Sequence, residues 1–236
     1  MAEKLNSLIS ETYKQKIELQ QLELEKQKAE IKTLQTQIDP HFLYNTLEAI
    51  HMHSVVMGYD DIGDMLVFLS KMFKYNLAPE TVVEIQNEID YCNNYIKLLN
   101  MRLESSIELY VDLSEEILKT KTIKMILQPV LENSVKHGFR KTYGGVITLR
   151  GSIKENDVIL EISDDGSGIN EERLKEIKKE LQSDQSDGSN IGLNNINSRL
   201  SKYYGEKYGV DIKSDGNGTT VIITLPRMEE IWWLRK

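Results

Sequence analysis

Apolar and polar residues follow one another in two different ways along the chain, and the change falls near residue 105. Before that point, apolar side chains recur at helical spacing, and the chain contains only two of its glycines and two of its prolines. The pattern predicts helices at about 41–57, 61–77 and 84–104. After it come the other twelve glycines, with strand-like and helix-like stretches in turn. We therefore expect a helical first half and a mixed second half.

The first helical stretch, residues 3–38, has the spacing of a coiled coil. Ile17, Leu24, Ile31 and Ile38 recur every seven residues, with Leu34 at a flanking position. A seam with this repeat favours a parallel dimer. A single amphipathic helix that lies on its own domain is the alternative.

The second half predicts a two-layer domain. Its strand-like stretches lie at 106–113, 145–153, 157–165, 208–214 and 219–225, and a turn at 154–157 joins the second strand to the third. Helix-like stretches lie at 121–139, 171–182 and 190–204. Helices packed on one face of a mixed, mostly antiparallel sheet form an α+β two-layer sandwich, which is the fold class we predict after the helical hairpin or bundle.

Composition and charge exclude several classes of protein. The net charge of −8 argues against a nucleic-acid-binding surface, which would need a basic face. The single cysteine, Cys92, excludes a disulfide framework and a multi-cysteine zinc site, and it fits a reducing compartment. No apolar run reaches the roughly 20 residues of a membrane helix. We therefore expect a soluble cytosolic protein, or the soluble part of a larger one.

Three separate stretches of the second half suit a nucleotide. In LENSVKHGF, the carbonyl of Asn133 suits Mg²⁺, and Glu132 stands beside it. Lys136 and His137 in the same stretch offer positive charge to phosphates. In ISDDGSGI, Asp164 ends a strand, and its carboxylate can accept a hydrogen bond from an exocyclic amine such as that of adenine. In DGSNIGLNNINSRL, glycines precede a helix start, whose N–H groups bind phosphate.

Read separately, these stretches are also an ordinary polar patch, turn and helix cap. Their order and spacing together resemble the Bergerat-type ATPase domain that sensor histidine kinases share with type II topoisomerases, Hsp90 and MutL. The resemblance implies ATP as ligand, Mg²⁺ held through Asn133, and a mobile lid over ATP at about 170–190. The residues that it matches to the adenine-binding and glycine-containing motifs are Asp164, Gly166, Gly168, Gly188, Gly192, Leu193, Gly216, Gly218 and Thr219.

Two positions depart from that family pattern. Asn190 stands where the second glycine motif usually has glycine, although asparagine tolerates left-handed backbone angles. Pro129 stands one turn before Asn133, where the topoisomerase and chaperone branches carry a general-base glutamate. An ATP-hydrolysing clamp is therefore disfavoured, and transfer of phosphate to another acceptor is favoured.

The acceptor is predicted from the stretch QIDPHFLYNTL. A proline inside a helix costs roughly 3 kcal/mol. Pro40 therefore bends the helix and presents His41 to solvent, or follows a capping Asp39 at a helix start, and both can hold because a cap at this joint also exposes the next residue. The stretch resembles the phosphoacceptor motif of the LytS/YesM-like sensor histidine kinases. The resemblance implies that His41 receives phosphate from ATP and passes it to an aspartate of a response regulator.

Further residues of the helical half are given roles beside His41. Many histidine kinases carry an acid directly after the histidine, where Phe42 stands here, so Asp39 is predicted as the base or orienting residue. Asn45 lies one turn after His41 on the same face, and by analogy it is predicted to position a water for dephosphorylation. The remaining histidines of this half, His51 and His53, are expected to be packing or surface residues.

The resemblance implies the catalytic portion of a homodimeric sensor histidine kinase at the cytoplasmic side of the bacterial membrane, with a transmembrane segment outside this chain. No nucleic acid is expected as a partner. The predicted domains are a signalling coiled coil (1–38), a dimerisation and phosphotransfer domain (39–104), an ATP-binding domain (105–226) and a tail without assigned role (227–236). The alternative is a degenerate ATP-binding scaffold or switch without kinase activity.

Overall fold

The computed structural model describes residues 39–103, 105–139, 144–182 and 191–227, together with six helical positions between residues 16 and 26. The chain divides into two compact units, residues 1–49 and residues 50–236. The predicted coiled-coil seam at Ile17, Leu24, Ile31 and Ile38 lies outside the described residues, as do residues 228–236 of the predicted tail. In the part that is described, no helix is both long enough and apolar enough to span a membrane.

The first half is helical, as predicted. Helix α1 spans Pro40–Val56, α2 spans Asp60–Leu77, and α3 spans Ile85–Leu103 after a short strand β1, Val82–Glu84. Helix α2 packs closely against the end of α1. A Cβ on Gly63 of α2 would lie only 3.3 Å from Ser54 Oγ of α1. Small residues at the crossing let the two backbones approach.

The second half contains the sheet. Its strands are β2 (Ser106–Asp112), β3 (Lys121–Ile123), β4 (Gly144–Lys154), β5 (Asp157–Asp164), β6 (Gly209–Ser214) and β7 (Thr219–Pro226). Its helices are α4 (Glu115–Lys119), α5 (Gln128–Asn133), α6 (Glu171–Gln182) and α7 (Ile191–Tyr204), and a π-helical turn, Ser134–Gly138, continues α5. The main sheet has the order β2-β4-β5-β7-β6. Strand β2 is parallel to β4 and the other pairs are antiparallel, which confirms the mixed, mostly antiparallel sheet.

Alternation along the strands builds the core between the sheet and its helices. On β5, the side chains of Val158, Leu160 and Ile162 are buried, and buried residues of α5 and α7 complete the same cluster. Alternate residues of a strand lie on one face, so Asp164 continues this row at the end of β5. The predicted α+β two-layer fold is confirmed, and a carboxylate stands at the end of its core.

The predicted helix at 121–139 is wrong in its first third. Residues 121–123 form β3, which pairs antiparallel with β1, and Val82 lies opposite Ile123. Met125 has a φ of 62°, in the left-handed region, so a right-handed helix does not run through it. The helix begins at Gln128, and Pro129 lies in its first turn, a position that proline favours. The short elements β1, β3 and α4 have too few residues for a periodic pattern, which is why the sequence does not predict them.

A buried glutamate of α3 holds the start of α5. Glu88 is 2% exposed. Its carboxylate accepts hydrogen bonds from three consecutive backbone N–H groups, those of Met125 (2.6 Å), Ile126 (2.7 Å) and Leu127 (3.0 Å). The hydroxyl of Tyr75 on α2 donates to the same carboxylate. Burial and the nearby carboxylate raise the pKa of Tyr75, so the phenol keeps the proton that it donates.

Helix α3 shares its core with the sheet. The buried residues of this helix that join the cluster around β4, β5 and β7 are Ile85, Ile89, Cys92, Ile96 and Leu99. Burial raises the pKa of the Cys92 thiol, which is consistent with a packing role for this side chain. The predicted domain boundary at residue 104 follows directly after this helix and stays a prediction.

Glu88→Ala should lower the free energy of unfolding by about 3 kcal/mol or more, because three consecutive N–H groups, two of them in buried residues, lose their acceptor at once. Urea denaturation followed by circular dichroism measures the change. Glu84→Ala is the matched control, because Glu84 makes a surface ion pair with Lys121 at 2.9 Å and its side chain is 40% exposed. Such a pair contributes at most about 1 kcal/mol. Equal losses in the two variants would contradict the proposed structural role of Glu88.

Candidate functional site

The carboxylate of Asp164 is held from two sides at the end of β5. Its Oδ1 accepts a hydrogen bond from the N–H of Gly166 (3.0 Å), and its Oδ2 accepts one from the hydroxyl of Ser134 (2.8 Å). A carboxylate oxygen has two lone-pair sites, so each oxygen can still accept a hydrogen bond from a ligand. The two donors fix the direction in which the remaining lone pairs point. The group is therefore suited to bind an amine on a planar ring.

Glycines let separate backbone segments meet around this carboxylate. A Cβ on Gly166 would lie 2.5 Å from the Cα of Gly138, so a side chain there would force the loop after β5 away from the turn that follows α5. Gly168 has a φ of 66°, and a Cβ on it would lie 2.8 Å from the Cα of Gly216. The structure thus brings the predicted Gly166, Gly168 and Gly216 together beside Asp164.

A cavity of about 320 Å³ opens next to Asp164. The predicted site residues that line it are Asn133, His137, Asp164, Gly168, Leu193 and Thr219. Asp164 is the only carboxylate among the described lining residues, and Arg173 adds a cationic group. The volume lies in the range of small-molecule sites, and the lining combines apolar walls with a few polar groups.

The glycine motifs approach this cavity from two directions. A Cβ on Gly192, in the first turn of α7, would lie 3.8 Å from Asn133 Nδ2. A Cβ on Gly218 would lie 2.2 Å from the carbonyl oxygen of Asp164. Gly188 and Asn190 lie outside the described residues, together with the rest of the predicted lid from residue 183 onward.

Two residues that were predicted to bind the nucleotide lie elsewhere. Glu132 and Lys136 line a separate cavity of about 470 Å³, together with Arg102 of α3. Glu132 also accepts a hydrogen bond from Gln128 Nε2 at 2.7 Å. Positions 132 and 136 are one turn apart on one helix face, and successive residues are rotated by about 100°, so Asn133 is directed elsewhere. The structure therefore does not bring Glu132 and Lys136 to the cavity beside Asp164.

Two residues that form the site were not predicted. Ser134 holds the carboxylate of Asp164, and Gly138 allows the close approach of the loop after β5. The two residues are four positions apart, so they lie on the same face of the helical stretch. This spacing is the feature of the sequence that could have indicated their role. The hydroxyl–carboxylate contact joins residues 30 positions apart, and such a contact leaves no local pattern.

The helix that carries His41 begins as the capping alternative predicts. Asp39 Oδ1 accepts a hydrogen bond from the backbone N–H of His41 (2.9 Å), and Pro40 is the first residue of α1. This is a favoured arrangement of an N-cap aspartate and a proline at the first helical position. His41 is exposed. The carboxylate of Asp39 therefore contacts the backbone of His41 rather than its imidazole ring.

The imidazole of His41 contacts Asn45, which lies on the same helix face as predicted. Asn45 Nδ2 is 3.2 Å from His41 Nδ1, and both residues are exposed. Of the other histidines of the helical half, His51 is half-buried with its ring beside Gly63, and His53 is exposed. Both positions agree with packing or surface residues.

Two family models match the chain. Residues 29–107 match the histidine kinase family, and residues 119–229 match the family of histidine kinase-, DNA gyrase B- and HSP90-like ATPases. The first match contains His41 and Asn45, and the second contains Asn133 and Asp164. The second family implies that this part of the chain binds ATP.

The chain also aligns with curated proteins and with solved structures. Sensor protein kinase HptS of Staphylococcus aureus, from strains USA300 and COL, is 30% identical over 199 residues, which are 84% of this chain and 38% of the relative. The chain therefore spans less than half the length of these curated relatives. The structure of mycobacterial sensor histidine kinase MprB aligns with a TM-score of 0.45 at 20% identity, over 61% of this chain and 95% of that one. The catalytic domain of histidine kinase ThkA aligns with a TM-score of 0.44 at 18% identity, over 63% and 99% of the two chains.

Ser134→Ala should weaken the binding of ATP about fivefold to tenfold, because Asp164 loses the donor that fixes its Oδ2. Isothermal titration calorimetry with ATP measures the dissociation constant. Ser201→Ala is the control, because it also removes the hydroxyl of a partly buried serine. That hydroxyl donates a hydrogen bond to the carbonyl oxygen of Ser198 within α7 (3.2 Å) and not to Asp164. An unchanged dissociation constant in Ser134→Ala would show that Ser134 does not position the carboxylate.

Proposed function

Because this chain belongs to the protein histidine kinases, a class of phosphotransferases, we propose that it transfers the γ-phosphoryl group of ATP to His41. The observation that carries the proposal is the carboxylate of Asp164, held by Ser134 and Gly166 at the edge of a cavity of about 320 Å³. The same chain presents an exposed histidine on a capped helix. A donor site and an acceptor side chain are thus both present.

The residues of the cavity fit ATP as the substrate. The exocyclic amine of adenine would donate to the remaining lone pairs of Asp164, and the glycines beside it leave room for a flat ring. The first turn of α7, where Gly192 lies beside Asn133, is the place for the phosphates, because N–H groups at a helix start bind anions. Leu193 and Thr219 line the same cavity.

The side chain of Asn133 fits Mg²⁺, which takes oxygen ligands and is usually held by one or two protein groups together with phosphates and water. Among the described residues, no group of three acidic, histidine or cysteine side chains is placed to hold a metal by itself. The ion would therefore be held jointly by Asn133 and the nucleotide. When bound, it neutralises charge on the phosphates.

The acidic groups of the site support transfer to a side chain rather than hydrolysis. Asp164 is the only carboxylate among the described residues that line the cavity, and both of its oxygens are engaged. The position one turn before Asn133 is Pro129, in the first turn of α5. No further carboxylate of the described lining is placed to take a proton from water.

His41 would supply the nucleophile. An unprotonated ring nitrogen attacks the γ-phosphorus, a nitrogen–phosphorus bond forms, and the bond to the β–γ bridging oxygen breaks, with its electron pair leaving on ADP. Asp39 was predicted as the base or orienting residue, and its contact with the backbone N–H of His41 favours the second role. It would orient His41 by fixing the start of the helix.

The partners belong to the same proposal. The resulting phosphoramidate is labile, which suits onward transfer to an aspartate of a response regulator. We propose a homodimer at the cytoplasmic side of the bacterial membrane, joined to it through a part of the protein outside this chain. Asn45 is proposed to position a water that removes phosphate from the regulator, as the analogy with bifunctional kinases implies. The domains predicted at 1–38, 39–104, 105–226 and 227–236 stay part of this proposal.

His41→Ala should abolish the incorporation of label from γ-labelled ATP, because no other imidazole lies on the capped turn at Asp39 and Pro40. The dissociation constant for ATP should stay at its wild-type value, since the nucleotide cavity belongs to the other compact unit. His53→Ala, at an exposed position further along α1, is the matched control and should incorporate label normally.

Retained labelling in His41→Ala would refute the acceptor assignment. ATP binding without any labelling of the wild-type chain would instead support the alternative of a degenerate ATP-binding scaffold.

A further inference from the structure

The ring of His41 has one hydrogen-bond partner in the described part of the chain. That partner is Asn45, one helical turn later, whose Nδ2 lies 3.2 Å from His41 Nδ1. Asp39 is the nearest carboxylate in the sequence, but its Oδ1 accepts from the backbone N–H of His41. The residue that follows the histidine, Phe42, is apolar and 66% exposed. Asn45 is therefore the side chain that can determine which ring nitrogen of His41 carries the proton.

Attack on phosphorus requires a ring nitrogen with a free lone pair. In neutral imidazole one nitrogen carries the proton and the other is an acceptor. Nδ1 faces Asn45 along the helix, so Nε2 is the nitrogen that an incoming phosphoryl group can reach. Nε2 has a free lone pair only when the proton lies on Nδ1. A side-chain amide that turns by half a rotation about χ2 presents either its oxygen or its NH2 group at the same place.

We propose that Asn45 is a positioning residue that selects the tautomer of His41, an inference that rests on the proposed phosphoryl transfer. With its oxygen towards the ring, Asn45 accepts the Nδ1–H, and the lone pair of Nε2 is free. Nε2 then attacks the γ-phosphorus, the bond to the bridging oxygen breaks, and ADP leaves with the electron pair. The proton stays on Nδ1 during this step and passes to water afterwards, because an amide oxygen is too weak a base to take it.

The opposite orientation of the amide, with Nδ2 rather than the oxygen at Nδ1, favours the other tautomer. With Nδ2 towards the ring, Asn45 donates to Nδ1, and the neutral ring carries its proton on Nε2. That nitrogen then has no lone pair for attack. Half a rotation of the Asn45 amide about χ2 thus converts an unreactive tautomer of the imidazole into a reactive one, and the helix does not have to move.

Two substitutions of similar size separate the two amide functions. Asn45→Asp keeps an acceptor beside Nδ1 and removes the donor, so it should hold the reactive tautomer and incorporate label at close to the wild-type rate or faster. Asn45→Leu removes both, so the rate at saturating ATP should fall about tenfold, the factor of one lost hydrogen bond. The KM for ATP should not change in either variant. Thr46→Ala is the control, since its hydroxyl bonds the carbonyl of Phe42 on the same helix at 2.7 Å.

The tautomer itself can be read without ATP. Nitrogen-15 NMR of the full chain with labelled histidine, at pH 8 where an ordinary imidazole is neutral, distinguishes a protonated from an unprotonated ring nitrogen. The His41→Ala spectrum assigns the signals. We expect the Nδ1–H form to dominate in Asn45→Asp and to lose population in Asn45→Leu, with the wild-type chain between them.

Each outcome decides the matter. Equal tautomer populations in Asn45→Asp and Asn45→Leu would overturn the proposal, and so would normal phosphorylation of Asn45→Leu. If Asn45→Leu lost only the dephosphorylation of a regulator, Asn45 would act on water and not on the imidazole. Absence of label on His41 of the wild-type chain would refute the proposed function instead, while the NMR comparison would still test the tautomer.

Discussion

Three consecutive backbone N–H groups point at the carboxylate of Glu88, and the cavity beside Asp164 is built outward from that contact. Residues 125–127 come just before α5, where N–H groups have no partner within the helix. Met125 is in the left-handed region, so this turn is not one that its own residues favour. A buried glutamate without donors would cost several kcal/mol, and so would the N–H groups of the buried Ile126 and Leu127 without an acceptor. Each side of the contact therefore requires the other.

The same turn is held from its carbonyl side by α7. Arg199 donates to the carbonyl oxygens of Lys124 and Met125, so the turn is fixed by a carboxylate of one helix and a guanidinium of another. Helix α5 runs on from the turn to Ser134, which reaches Asp164. Helix α7 begins beside Asn133 at Gly192. The parts of the cavity at Asp164 and at Asn133 are therefore both positioned by residues 124–127.

The sequence predicts those parts of the fold that rest on local patterns. The helices α1, α2, α3, α6 and α7 and the five strands of the main sheet follow from periodicity. The extended start of the predicted helix at 121–139 does not, because the pairing with β1 and the carboxylate of Glu88 come from residues about 40 positions away. Asn133 and Asp164 are found through their motifs. Ser134 is not, because its role depends on a contact across the core. Glu132 and Lys136 line a different cavity from Asn133, because neighbours in sequence face different ways on a helix.

His41 and the cavity beside Asp164 belong to different compact units, and each has its own set of contacts. His41 is set by Asp39 and Asn45, whereas Asp164 is set by Ser134 and Gly166. Under the proposed function, affinity for ATP depends on the second set, and the reactivity of the imidazole depends on the first. Only interactions that are stronger in the transition state accelerate the chemical step. A signal that changes the tautomer of His41 or its access to the γ-phosphate can therefore change the rate of transfer without changing how tightly ATP is bound.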